Sequence, residues 1–305
     1  MELAPDFSFQ PLPPIGDQAE IAPRAAANPL GPLAGLLGSW SGPGFNVIWR
    51  PNHASGQDHF LELNVTGDQI DFAAIPGAIP NRGLLQPDIN MFGLTYLQQV
   101  KDANLNAGLH IEPGLWVTIP ATTDPKLGPT VARLASIPHG TTIVAQGTAV
   151  TAAGPPVIPP VGIKPFTIGR PGQTVDFPEQ TLATATPFRT PAAGLAGVTQ
   201  PMVNDPNNVL TAAIKGQTIT STTTLHIATN DLPVPGGGTA NTAFLQGIGQ
   251  SNADAALVTA TFWLETLHGD TSPSQLQYSQ TVFLRFSGLS WPHVTVGTLR
   301  KAPAS

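Results

Sequence analysis

Proline and glycine divide this chain. Its 33 prolines and 31 glycines crowd into 11–32, 76–90, 154–206 and 233–238, and both residue types break helices and form turns. The stretches between them alternate instead, with Thr, Val, Ile, Phe or Leu at every other place, which is the period of a half-buried strand. Strands are predicted at 45–50, 58–65, 68–75, 92–101, 105–112, 115–119, 130–137, 141–150, 209–215, 218–228, 255–267, 275–286 and 291–300. Gly67-Asp68 and Gly216-Gln217 read as tight hairpin turns, and 32–37 and 242–250 as helical turns. So many antiparallel strands must dispose of their edges, and closure removes them altogether. The predicted fold is all-β: a mostly antiparallel closed β-barrel of about ten or more strands with a long Pro-rich insertion.

Residues 1–37 read as an extended N-terminal arm and 38–305 as one barrel domain, with 151–253 inserted as a lid over one barrel end. The Pro-rich part of the insertion carries Val157, Ile158, Phe166, Ile168, Phe177 and Phe188, more apolar content than a disordered segment holds. Apolar side chains need a surface, and the mouth of a small barrel is the nearest one.

Charge excludes several partners. Only 10% of residues are charged, the formal net charge is −6, and Lys and Arg form no run, which argues against nucleic acid and anionic membranes. The absence of cysteine removes disulfides, thiolate metal sites and cysteine nucleophiles together. The N-terminal MELAPDFSFQPLPP lacks the basic and apolar regions of a secretory signal, and no apolar run approaches the ~18 residues of a membrane span. The expectation is a soluble, cytoplasmic protein whose partner is a small molecule.

Three segments carry candidate chemistry. In Leu276 to Lys301, two apolar strands are joined by a Gly-containing turn, and His293 opens the second. A neutral imidazole there can point into an enclosed apolar space as a nitrogen ligand for a metal or haem iron; the competing reading is a strand-end histidine capped by backbone. His110 and Glu112 stand two apart in LHIEPGLW (109–116) and so share one strand face. Buried together, they would hydrogen-bond or address a ligand as acid and base; on the solvent face they would be an ordinary polar pair. Their spacing suits a metal, but no third ligand follows. Gly38-Ser39-Trp40-Ser41-Gly42-Pro43-Gly44 places a large aromatic among glycines, suited to plugging a barrel end. His139, bracketed by Pro138 and Gly140, reads as a hairpin tip, and His53, His59, His226 and His268 have no partner motif.

These segments, taken in order, resemble the nitrobindin family, haem-binding barrels of the calycin type. The resemblance rests on G-x-W-x-G-x-G at 38–44, on L-H-x-E-x-G-x-W at 109–116 followed by ARLASIPHGTTIVAQG at 132–147, and on FLRFSGLSWPHVTVGTLRK at 283–301. It implies haem b as cofactor, His293 as the axial iron ligand, and His110 inside the barrel near the opposite side of the haem. It also implies a ferric haem that binds nitric oxide and can convert peroxynitrite to nitrate. Residues 151–253 have no counterpart in that family. A haem pocket further needs an apolar slot and charge partners for the propionates; Trp49, Phe72, Trp116, Phe283 and Phe286 are candidates for the slot, and Arg133, Arg285 and Arg300 for the charges. Two alternatives stand beside haem: a haem-free barrel that binds an apolar small molecule, and a barrel enzyme that uses His110 and Glu112.

Overall fold

Long alternating runs flanked by turn formers become long strands, and the computed structural model shows fifteen strands, ten of them long, over the described residues, 3–4, 7–9, 28–53, 57–230 and 236–303. In chain order these are β1 (Gly38–Pro51), β2 (His59–Ala74), β3 (Ile79–Asn81), β4 (Ile89–Asp102), β5 (Gly108–Ile119), β6 (Thr122–Thr123), β7 (Lys126–Leu127) and β8 (Thr130–Ile137). They continue with β9 (Thr141–Ala153), β10 (Phe166–Thr167), β11 (Ile219–Ala228), β12 (Gly238–Asn241), β13 (Asp254–Leu267), β14 (Gln275–Phe286) and β15 (Leu289–Lys301). Ten of these pair antiparallel in the order β1-β2-β4-β5-β8-β9-β11-β13-β14-β15, and β15 returns to β1 through Gly44↔Gly297 and Ile48↔His293. The ring is closed, so no barrel edge is left unpaired. Most of the arm expected at 1–37 lies outside the described residues; its last turn, Gly31–Leu36, is a 3-10 helix, as the Pro32 signal suggested.

Three sequence expectations fail locally; one is Gly216-Gln217, which joins a helix to β11 and so is no hairpin turn between two strands. Gly67-Asp68 is no hairpin: β2 runs straight through it, pairing Gly67 with Pro43 on one side and Lys101 on the other. Close approach is the role of Gly44 in β1 instead. At Gly44 an added Cβ would lie 2.4 Å from the carbonyl oxygen of Val296, so only glycine lets β1 and β15 converge. Residues 209–215, expected as a strand, belong to an α-helix (Asn208–Ala213) that follows Pro206 and lays the fully buried Leu210 against the barrel wall.

The insertion does not act as a single lid. Residues 219–228 are β11, one of the ring strands. Residues from about 158 to 210 instead cover the outer wall of β1, β2 and β15, where Ile163, Val203 and Leu210 pack with Phe45, Val47, Trp49, Leu61, Leu63, Val294 and Val296 in a second apolar core. Trp49 Nε1 donates to the carbonyl of Ile163 at 2.9 Å, and the first half of β2, which β4 does not reach, is paired by the backbone at 188–190 (Leu61 N to Phe188 O 2.9 Å, Thr190 N to Leu61 O 3.0 Å). The physical reason is two-sided burial. The outward-facing Phe45, Val47 and Trp49 of β1 and Leu61 and Leu63 of β2 are all apolar, and strands that bury this face as well as the barrel interior need a cover on both sides. No helix of the described residues is long and apolar enough to cross a membrane.

Candidate functional site

The barrel interior is built in layers. At one end the Gly31–Leu36 turn seals the bottom with Leu33 and Leu36, and the indole of Trp40 donates to the Leu36 carbonyl at 2.6 Å. Phe72, Leu94, Trp116, Phe262, Leu276 and Leu299 fill the next layer, with Trp116 edge-to-face on Phe262 at 5.2 Å. This is an apolar floor rather than a slot.

A polar layer lies above it. Glu112, with no exposed surface, accepts hydrogen bonds from Arg133 Nη2 and the Tyr96 hydroxyl, and from His110 Nε2 at 3.2 Å. Arg133 also donates through Nε to Tyr96 at 2.8 Å and through Nη1 to Gln280 at 2.6 Å. Burial pushes the Glu112 carboxyl up, but the Arg133 guanidinium and the bonds from His110 and Tyr96 outweigh it and hold the group down at about 2. The reciprocal attraction raises Arg133 above its ordinary value despite its own burial. A carboxylate held this firmly by a cation is a weak proton acceptor. It orients His110 and neutralises Arg133.

Above the polar layer the barrel is not filled. A cavity of about 330 Å³ is bounded by Ile48, Val100, Leu109, Ile137, Val282 and Leu284, by Leu245 from the turn after β12, and by three imidazoles: His110, His139 and His293. The rings of His110 and His139 stack at 5.7 Å. Burial depresses both His139 and His293, and the neighbouring His110 adds to it; His293 falls to about 3 and is neutral at physiological pH.

His293 is held by a relay of amides. Asp102 accepts from Asn64 Nδ2 at 2.8 Å, which turns Asn64 Oδ1 toward Asn46 Nδ2 at 3.3 Å. Asn46 Oδ1 therefore faces His293 Nε2, 2.8 Å away, and also accepts from Thr295 Oγ1 at 2.9 Å. The proton of the neutral imidazole sits on Nε2, and Nδ1 keeps the lone pair.

The structure thus brings His110, Glu112, Arg133 and His293 to one end of the barrel and separates the other expected residues. Trp116 and Phe72 lie in the floor. Trp49 and Phe283 are on the outer wall, Phe283 against Phe166 at 5.3 Å, because strand alternation turns Val282 inward and Phe283 outward. Phe286 stacks on Trp291 at 4.7 Å within the second core. Arg133 uses its guanidinium nitrogens on Glu112, Tyr96 and Gln280 and offers no free charge to a propionate, while Arg285 and Arg300 face outward. Among the described residues no group of three or more His, Asp or Glu side chains is placed to hold a metal ion. Sequence reasoning missed Asn46, Asn64, Asp102, Asp68 and Tyr278, whose roles arise only from pairing distant strands.

No protein-family model matches the sequence, and no curated protein is similar to it. Among solved structures, the barrel is similar to the crystal structure of Rv2717c from M. tuberculosis, with 14% identity and a TM-score of 0.43 over 90% of this chain and 98% of that chain. At that distance the likeness carries no functional argument.

Proposed function

We propose that this chain is a small-molecule-binding barrel whose ligand occupies the cavity faced by His110, His139 and His293. The cavity itself carries this reading: interior side chains fill one end of the barrel and leave about 330 Å³ at the other, its surface mostly apolar with polar groups converging on it, the Arg50–Glu62 ion pair among them, which is the make-up of a ligand site. Haem b is the occupant that the sequence motifs favour. The donor chemistry fits in one respect, because His293 is a neutral imidazole bordering apolar walls. A bound ferric haem would supply an iron that takes nitric oxide or a peroxide. For His293 to hold it, either Nε2 must exchange Asn46 for the metal or Nδ1 must be the ligand.

A haem-free reading has its own observation: His293 Nε2 is already engaged by Asn46. In that case the cavity takes an apolar small molecule. Hemin titration separates the two. Haem binding predicts a saturable, one-to-one Soret shift that His293→Ala abolishes while far-UV circular dichroism is unchanged. An unaltered hemin spectrum, together with saturable binding of an apolar fluorophore, leaves the haem-free barrel. Saturation by neither ends the ligand-binding proposal.

A further inference from the structure

One polar cluster in the cavity wall belongs to none of the expected sites. Tyr278 on β14 donates its hydroxyl proton across the barrel to Asp68 Oδ2 on β2 at 2.5 Å, and Gln98 on β4 donates to the same hydroxyl oxygen at 3.1 Å. Tyr278 and Gln98 line the cavity. Asp68 stands behind them, 3% exposed, and its other oxygen, Oδ1, has no hydrogen-bond partner. Room for the carboxyl is made by two glycines: a Cβ at Gly44 or Gly297 would fall 3.0 or 2.8 Å from Asp68 Oδ2. A buried carboxyl that is only half satisfied is costly, and such groups concentrate at functional sites.

The direction of these bonds depends on one proton. When Asp68 is ionised it can only accept, so the Tyr278 proton points at it and away from the cavity. When Asp68 takes a proton from solvent on Oδ2, the oxygen that faces Tyr278, it becomes a donor to the Tyr278 oxygen. That oxygen then receives both Asp68 and Gln98, and its own proton must turn elsewhere. The open direction is the cavity.

We propose that Asp68 and Tyr278 form a protonation-controlled hydrogen-bond donor that selects ligands with an apolar body and an acceptor oxygen such as a carboxylate or sulfonate. The inference rests on the cavity being a ligand site. Burial raises the Asp68 carboxyl to about 6, against the bond from Tyr278, the Thr66 hydroxyl beside it and the pull of His110, so the switch lies in an accessible range. The charged groups facing the pair are His110 and Glu112 from β5 and Arg133 from β8. The cavity that Tyr278 lines is bounded as well by His139, by Arg50 of β1, Glu62 of β2 and His293 of β15, while Gly44 and Gly297 pack on Asp68 Oδ2 itself.

The chain has only two tyrosines, Tyr96 and Tyr278, which makes the test direct. Carbon-13 labelling of the tyrosine ring Cζ gives two resonances in the ligand-free protein. One is expected to move with a midpoint near pH 6, to vanish in Tyr278→Phe, and to stop moving in Asp68→Asn. No movement between about pH 5 and about pH 8, or movement that persists in Asp68→Asn, overturns the proposal whatever the ligand. Anilinonaphthalene sulfonate, an apolar body with an anionic acceptor, then reads the binding side by fluorescence titration. Its affinity should be severalfold higher at the acid end for the wild type and pH-independent in Tyr278→Phe. Equal affinity at both ends in the wild type overturns ligand selection even if the tyrosine resonance moves. Failure of both the sulfonate and hemin to bind overturns the cavity reading itself, with the resonance still deciding the Asp68–Tyr278 switch.

Discussion

Asp102 decides which ring nitrogen of His293 carries the proton, although two amides separate them. Both oxygens of Asp102 accept: Oδ1 takes the backbone amides of Asn104 and Leu105 at 2.7 and 2.8 Å, and Oδ2 takes Asn64 Nδ2 at 2.8 Å. A carboxylate cannot donate, so each amide in turn is oriented and His293 is left as the Nε2–H tautomer. An acceptor fixed on one ring nitrogen in this way leaves the imidazole's remaining lone pair available in one direction.

Asn46→Ala tests this relay. The variant leaves the His293 N–H without its acceptor, and losing a buried partner costs about 1–3 kcal/mol. Chemical denaturation should show a loss of that size. Nitrogen-15 spectra of the imidazoles should show a single Nε2–H form for His293 in the wild type and a mixture in the variant. A mixed tautomer already present in the wild type would refute the relay.

Much of the fold was legible in the sequence, and the reasons are local. Alternation in Leu276 to Lys301 and in 218–228 placed β14, β15 and β11 within a residue or two, because period-2 patterning records which face is buried. Gly67-Asp68 misled because a glycine in the middle of a strand, where a Cβ would meet only the Lys101 side chain at 3.4 Å, looks the same in sequence as one that makes a turn. Of the site, His110 and Glu112 were readable as one face of a strand. The partners that define their chemistry were not, since Arg133 and His293 meet them only through barrel closure, and Asp68 reaches Tyr278 across 210 positions. The outward turn of Phe283 was available from parity alone, given that His293 pairs with Val282.

The Glu112–Arg133 pair makes a prediction about acid. Its folded carboxyl is depressed from 4.5 to about 2, so the folded state binds fewer protons than the unfolded chain in that interval. The stabilisation is therefore complete above about pH 4.5 and is lost as pH falls toward about 2. In Glu112→Gln that acid-dependent component should disappear. Stability at neutral pH should fall by about 3–5 kcal/mol, because a buried guanidinium is left without its counter-charge. Urea midpoints across pH for the two proteins check both statements.

The wall cover should matter to stability more than to the cavity. Trp49 and Leu210 are fully buried in the second core, outside the barrel. Leu210→Ala is expected to cost about 2–5 kcal/mol, read as a lowered denaturation midpoint. Hemin or fluorophore affinity measured well below that midpoint should be unchanged. A large loss of affinity with little loss of stability would place the cover in the binding site after all.

Gly44 joins the fold to the proposed switch, so its substitution should register in both. A Cβ there meets the Val296 carbonyl at 2.4 Å, Thr66 Oγ1 at 2.6 Å and Asp68 Oδ2 at 3.0 Å. The first contact is backbone in the strand that closes the barrel, and it cannot rotate away. Gly44→Ala must therefore separate β1 from β15 or displace Asp68, and overpacking of this kind costs about 1–3 kcal/mol. Gly108 is the control. It also lies in a strand, without positive φ, and a Cβ there has nothing within 4 Å. Gly108→Ala should be neutral or stabilising by about 0.4–1 kcal/mol, through lost freedom of the unfolded chain. Thermal melts of the two variants should diverge in sign or by several degrees. The midpoint of the Tyr278 carbon-13 titration should shift in Gly44→Ala alone, because only that substitution presses on the Asp68 carboxyl. Equal melts and equal midpoints would mean that β1 and β15 do not converge at Gly44 as tightly as the barrel requires.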